Sequence, residues 1–97
     1  MDNFELLPLV RADLEQPAHA VDDFLVHLIG VAQEKIGEYG IQLDDANMGD
    51  TGIVVMYAAW LYRKRKASTP EESAMPRMLQ FAMHNRLMAQ KGKVTEP

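Results

Sequence analysis

Ile53-Val54-Val55-Met56-Tyr57-Ala58-Ala59-Trp60-Leu61-Tyr62, followed at once by Arg63-Lys64-Arg65-Lys66, is the stretch whose conformation decides the fold. Three consecutive β-branched residues suit a strand. The alanines, the length and the basic ending argue for a helix, because cations complement the negative end of a helix dipole. The stretch therefore reads as a helix capped by Asp50 or Thr51. It is apolar on almost every side. Either this helix is central and wrapped by its own domain, or part of Val55, Met56, Ala59, Trp60 and Tyr62 meets another subunit.

Two amphipathic stretches flank it. Upstream, Val21, Phe24, Leu25, Leu28, Ile29, Ala32 and Ile36 share one face at a 3.6-residue period, with Asp22, Asp23, His27, Gln33, Glu34 and Lys35 elsewhere. Asp22 or Asp23 supplies a capping oxygen and a negative charge at its start, and Gly37 and Gly40 suit its C-terminal end. Residues 41–49 form a polar loop, with one or two extended residues at 41–43. Downstream, residues 76–90 predict a helix with Met78, Leu79, Ala82, Met83 and Leu87 inward and Gly92 ending it. Phe81 and Met88 lie off that stripe, as core or neighbour contacts together with Met56, Tyr57 and Trp60. Thr69-Pro70-Glu71-Glu72 is a capping box with proline at the first helical position, so one turn starts there before Pro76 interrupts it. At the N-terminus, residues 7–14 predict a short helix laid as a lid on the longer ones, Gln16-Pro17 breaks the chain, and residues 93–97 form a frayed tail. The expected class is all-α, a small bundle of three main helices plus a short N-terminal one, in a single domain over residues 1–97.

Composition excludes several functions. A net charge of −4 speaks against broad phosphate neutralisation over a basic face. With no cysteine, disulfides and thiolate metal sites are excluded, and a reducing cytosol suits the chain. The start has neither a basic leader nor a long apolar core, and no apolar run is long enough to span a membrane, so a soluble intracellular protein with no membrane partner is expected. His19, His27 and His84 do not form a helical zinc pattern. Residues 44–50 are acidic and contain glycine but lack the ligand spacing and terminal glutamate of a calcium loop. No nucleophile and base pair or phosphate-binding glycine loop can be assembled by spacing, so neither catalysis nor a cofactor is expected. Ser68 and Ser73 fall in the capping segment, where their hydroxyls have a local role. Arg63, Lys64, Arg65 and Lys66 are either DNA-facing or a solvated helix end pairing with acids such as Glu71 and Glu72.

Leu6-Leu7 to Leu14, then Asp22-Asp23 with Leu25, Leu28-Ile29 and Ala32, then Met56-Tyr57 to Leu61-Tyr62 and Arg65, then Met75-Pro76 and a terminal helix, resembles the tailed-phage head-tail connector proteins. These are also called DNA-packaging or head-completion adaptors and occur widely in prophages. The resemblance spans residues 6–88 and consists of spacing and helix order. It implies a non-catalytic structural subunit that forms a ring of about a dozen copies, each using two different surfaces. The implied partners are a portal protein, a tail-completion protein and non-specific DNA passing through the channel. The implied location is the virion head-tail junction, after assembly in the host cytoplasm. Here the loop before the apolar helix is short, about residues 42–49, so docking elements carried on longer insertions are not expected, and a C-terminal strand at residues 93–95 is too short to form. A small dimeric helical regulator that binds a protein or DNA is the rival reading, resting on Arg77, Gln80, Asn85, Arg86 and Gln90 in the last helix. The long, proline-broken connection before that helix disfavours a helix-turn-helix.

Overall fold

The polar breaks between apolar segments fold into turns around five helices, seen in a computed structural model that describes residues 1–15 and 21–94. They are α1 (Asn3–Leu14), α2 (Asp22–Tyr39), α3 (Met48–Lys64), the single turn α4 (Pro70–Ser73) and α5 (Arg77–Val94), and no strand occurs among the described residues. The class is all-α, as the helical periodicities imply. The break at Gln16-Pro17, His19 and residues 95–97 lie outside the described residues.

Helix α3 is the central helix. Ile53, Val54, Val55, Tyr57, Ala58, Ala59 and Tyr62 are all buried, against α1 and α2 on one side and α5 on another. Its all-round apolarity is thus answered within the chain for Val55, Ala59 and Tyr62, while Met56 and Trp60 stay half-buried. Helix α2 buries Leu25, Leu28, Ile29, Ala32 and Ile36, the face its period marks out, but Phe24 sits at the edge and is partly exposed.

Several boundaries differ from expectation. Helix α1 begins at Asn3 rather than residue 7, because the Asp2 carboxylate caps it by accepting the Phe4 N–H at 2.8 Å. Pro8 therefore lies inside the helix, not in its first turn. Helix α2 follows Val21, with no side-chain cap, so Asp22 and Asp23 contribute charge to the first turn rather than a capping bond. Helix α3 starts at Met48, capped by Asn47, whose side-chain oxygen accepts from the Asp50 N–H at 3.1 Å. Asp50 and Thr51 are inside it. Residues 41–43 lie in a loop, as expected. Helix α5 passes through Gly92 to Val94, which converts the expected stop and the first two residues of the expected tail into helix. On α5 only Leu79 and Met83 are buried; Ala82 and Leu87 are half-buried, and Met78, placed inward by the period, is 73% exposed. Half of the capping box forms: Thr69 Oγ1 accepts from the Glu72 N–H, but the Glu72 carboxylate accepts from the N–H and Oγ–H of Ser68, one residue before the cap.

Two glycines answer specific demands. Gly40 ends α2 with φ +113°, a left-handed conformation that L side chains rarely adopt. Gly30 lies where α1 crosses α2: a methyl there would be 3.2 Å from Asn3 Nδ2. At this crossing Gln33 donates to Asn3 Oδ1 at 2.6 Å.

Candidate interaction surface

Helix α5 is anchored at two places. Its first half lays Leu79 and Met83 on the core. Its second half is fixed by polar bonds to the first turn of α3 and to the loop before it. Arg86 grips Asp50 side-on, Nε to Oδ1 at 2.6 Å and Nη2 to Oδ2 at 3.1 Å, and its Nη2 also donates to the Gln42 carbonyl at 2.9 Å. Asp50 is fully buried, and its Oδ2 also accepts from the Asp44 N–H. This pairing holds the Arg86 guanidinium above its already high pKa, chiefly through the hydrogen bond to Asp50. Gln90 completes the attachment by donating to the Gly40 carbonyl and accepting from the Gln42 N–H, both at 2.8 Å.

Between these anchors lies a groove of about 640 Å³. Its walls come from Tyr39 on α2, Tyr57 on α3, Met75 before α5, and Phe81 and Met83 on α5; Lys35, Glu38, Gln80 and His84 complete the lining. Lys35 and Glu38 face each other at 3.5 Å, so their charges largely cancel. Burial pushes the Tyr57 phenol above its usual pKa, keeping it neutral; Lys35 pulls the other way more weakly. The groove is therefore a mainly apolar trough in which Lys35 and Glu38 pair with each other. Tyr39 is 46% exposed and Phe81 63%.

Of the residues singled out in sequence, the groove brings together Tyr57 and Phe81. Trp60 stands behind Tyr57, edge-on at 5.2 Å, and donates its indole N–H to the Ser73 carbonyl at 3.2 Å, tying α4 to α3. Met56 packs on the core, and Met88 is exposed on α5 away from the groove lining. Tyr39 was not singled out in the sequence, and Met75 and His84 entered it only through the Met75-Pro76 of the resemblance and the histidine spacing; the fold brings the three to one groove.

The basic cluster lies at the C-terminal end of α3, all four side chains exposed. Its charges do not pair with Glu71 and Glu72 as expected. Arg63 reaches Asp13 on α1, 3.2 Å to the carboxylate and 2.7 Å to its backbone carbonyl. Arg65 lies over the rings of Phe24 (4.7 Å) and Tyr62 (5.1 Å), Lys64 over Trp60 (4.8 Å) and Lys66 over Tyr62 (5.8 Å). Glu72 is instead occupied by Ser68, one turn away. Ser73 Oγ donates to the Pro70 carbonyl, a local role like that of Ser68.

Among the described residues no group of three His, Asp or Glu is placed to hold a metal ion. No helix among them is long and apolar enough to cross a membrane. No known protein family, curated protein or solved structure matches the chain.

Proposed function

We propose that this chain is a head-tail connector, or head-completion adaptor, of a tailed phage or prophage: a non-catalytic subunit that assembles into a ring between portal and tail-completion proteins and lets DNA pass. The observation that carries the reading is the uncovered apolar surface of α5 and its groove. Met78, Phe81 and Met88 are exposed, and the trough beside Phe81 is open. Single exposed apolar residues are ordinary, but a row of them along one helix bordering an apolar groove marks an interaction surface. The shape favours the same conclusion. The molecule measures 50 × 31 × 18 Å, and its smallest extent is that of about two helices side by side. A slab this thin leaves its outer helices with one face unpartnered, as a subunit completed by its neighbours would.

The adaptor reading is also favoured over a DNA-reading regulator by the occupation of α5. Arg86 and Gln90 are spent on the loop before α3, and Gln80 donates to the Met75 carbonyl at 2.7 Å. Three of the five side chains suited to reading bases are thus already bonded within the chain. The test is molar mass by light scattering over a range of concentrations, with negative-stain images of any large species. Closed rings with a central hole are expected. A compact dimer that retains duplex DNA sequence-selectively at moderate salt would overturn the adaptor in favour of the regulator, and a strict monomer would overturn self-assembly.

A further inference from the structure

We infer that the groove receives helix α1 of a second copy of this chain, so that the ridge of each subunit seats in the groove of the next. The inference rests on the adaptor reading and identifies its subunit junction. Helix α1 turns Leu6 and Val10 inward and leaves Phe4, Pro8, Leu9 and Ala12 exposed. Phe4, Pro8 and Ala12 follow at four-residue steps and Leu9 stands next to Pro8, so they share one convex face of the helix. Phe4 is 69% and Leu9 49% exposed, comparable to Phe81 in the groove.

Charge selects the pairing. The ridge is bordered by the exposed acids Asp2, Glu5 and Glu15, and the only cation of α1, Arg11, is already 3.4 Å from Asp22. The long wall of the groove is α5, which has no acid; its Arg86 is spent on Asp50, but Arg77 and Lys91 stand beyond the lining on the same helical stripe as Phe81 and His84. Lys35 and Glu38 on the opposite wall neutralise each other. An acid-edged ridge thus meets a groove flanked along α5 by Arg77 and Lys91, whereas two α5 helices meeting across a twofold axis would set cation against cation. Ridge and groove are also separate within one subunit, because α1 packs on α2 and α3 while α5 packs on α3. Each subunit can then give its ridge to one neighbour and its groove to the other. Such a heterologous contact propagates until it closes into a ring.

The chain contains no cysteine, so two introduced thiols report this contact without background. Leu9→Cys and Phe81→Cys are both at exposed positions, and circular dichroism checks that each variant keeps its fold. The two single variants are mixed in equal amounts and treated with a short bismaleimide, and the double variant is treated in the same way. The expected result is a cross-linked dimer from the mixture, a ladder of multimers from the double variant, and no product from either single variant alone. A wild-type chain that assembles while the mixture gives no dimer overturns this junction and leaves the adaptor reading standing. Equal cross-linking of one single variant with itself overturns it in favour of a twofold contact. A wild-type chain that remains at subunit mass in light scattering at every concentration overturns both.

Discussion

A carboxylate with no solvent contact must find its counter-charge inside the chain, and Asp50 finds it in Arg86, 36 residues away. The pair is side-on and bidentate, Asp50 Oδ2 also accepts from the Asp44 N–H, and Arg86 Nη2 also donates to the Gln42 carbonyl. Such a pair is costly to break from one side only, because the survivor is left as an uncompensated buried charge. Arg86→Met should therefore lower stability by about 3 kcal/mol, the low end of the range for buried pairs because Arg86 itself is partly exposed. Adding Asp50→Asn removes the orphaned charge and keeps an oxygen for the Asp44 N–H, so the double variant should recover at least about 1 kcal/mol. Urea unfolding of the wild type, the two single variants and the double variant measures this coupling directly. Strictly additive losses would show that Asp50 and Arg86 do not act as a unit. Neither residue stood out in the sequence as a partner of the other. Asp50 reads as a cap at a helix start, and Arg86 reads as one polar residue among several on α5. Only the tertiary crossing of α5 over the loop joins them.

At the scale of elements, α2 shows how a helix end is chosen between two glycines. Both Gly37 and Gly40 suit its end by residue type. Gly37 is helical and open, with nothing within 4 Å of an added Cβ, whereas Gly40 carries the positive φ and returns its N–H to the Gly37 and Ile36 carbonyls. Gly40→Ala should cost about 1–2 kcal/mol, the penalty of a left-handed L residue. Gly37→Ala should instead stabilise by about 0.5–1 kcal/mol, since alanine loses less freedom on becoming helical. Thermal unfolding of the two variants separates them, and a loss at Gly37 matching that at Gly40 would contradict this account of the helix end. The same physics explains what was legible before the structure. A one-sided pattern such as that of α2 specifies its buried face, because the polar residues say where water is. Helix α3, apolar all round, carries no such mark, so whether its own chain covers it is decided only by how α1, α2 and α5 close over it. On α5 the period placed Met78 inward, but Leu79 and Met83 set the facing and the helix touches the core along a narrower strip. The groove was hidden for the same reason, since it is the space that this narrow attachment leaves.

At the scale of the whole molecule, the distribution of charge matters more than its sum. The net charge of −4 coexists with four of the ten lysines and arginines gathered at one end of α3. Elsewhere Arg11 pairs with Asp22, Lys35 with Glu38 and Arg86 with Asp50, while Arg77 and Lys91 are spread along α5. At the α3 end, Arg63 is partly engaged by Asp13, while Lys64, Arg65 and Lys66 rest on aromatic rings and keep their charged heads in water. A ring face does not neutralise a cation, so these groups remain able to meet phosphate. In the proposed ring they repeat once per subunit and form the most basic circle the assembly has. An acidic subunit with one sparse basic circle would touch passing DNA without holding it, which suits a channel. Lys64→Glu with Lys66→Glu should abolish retention of random-sequence duplex DNA by the assembled protein at low salt, read by filter binding. Unfolding stability should change by less than about 0.5 kcal/mol, as for exposed residues. Where weak binding survives, the log-log salt slope should fall by about 2 for each engaged subunit, because two phosphate contacts are gone. Unchanged retention would move the DNA-facing role elsewhere and leave the α3 end as a solvated helix terminus matched to its dipole.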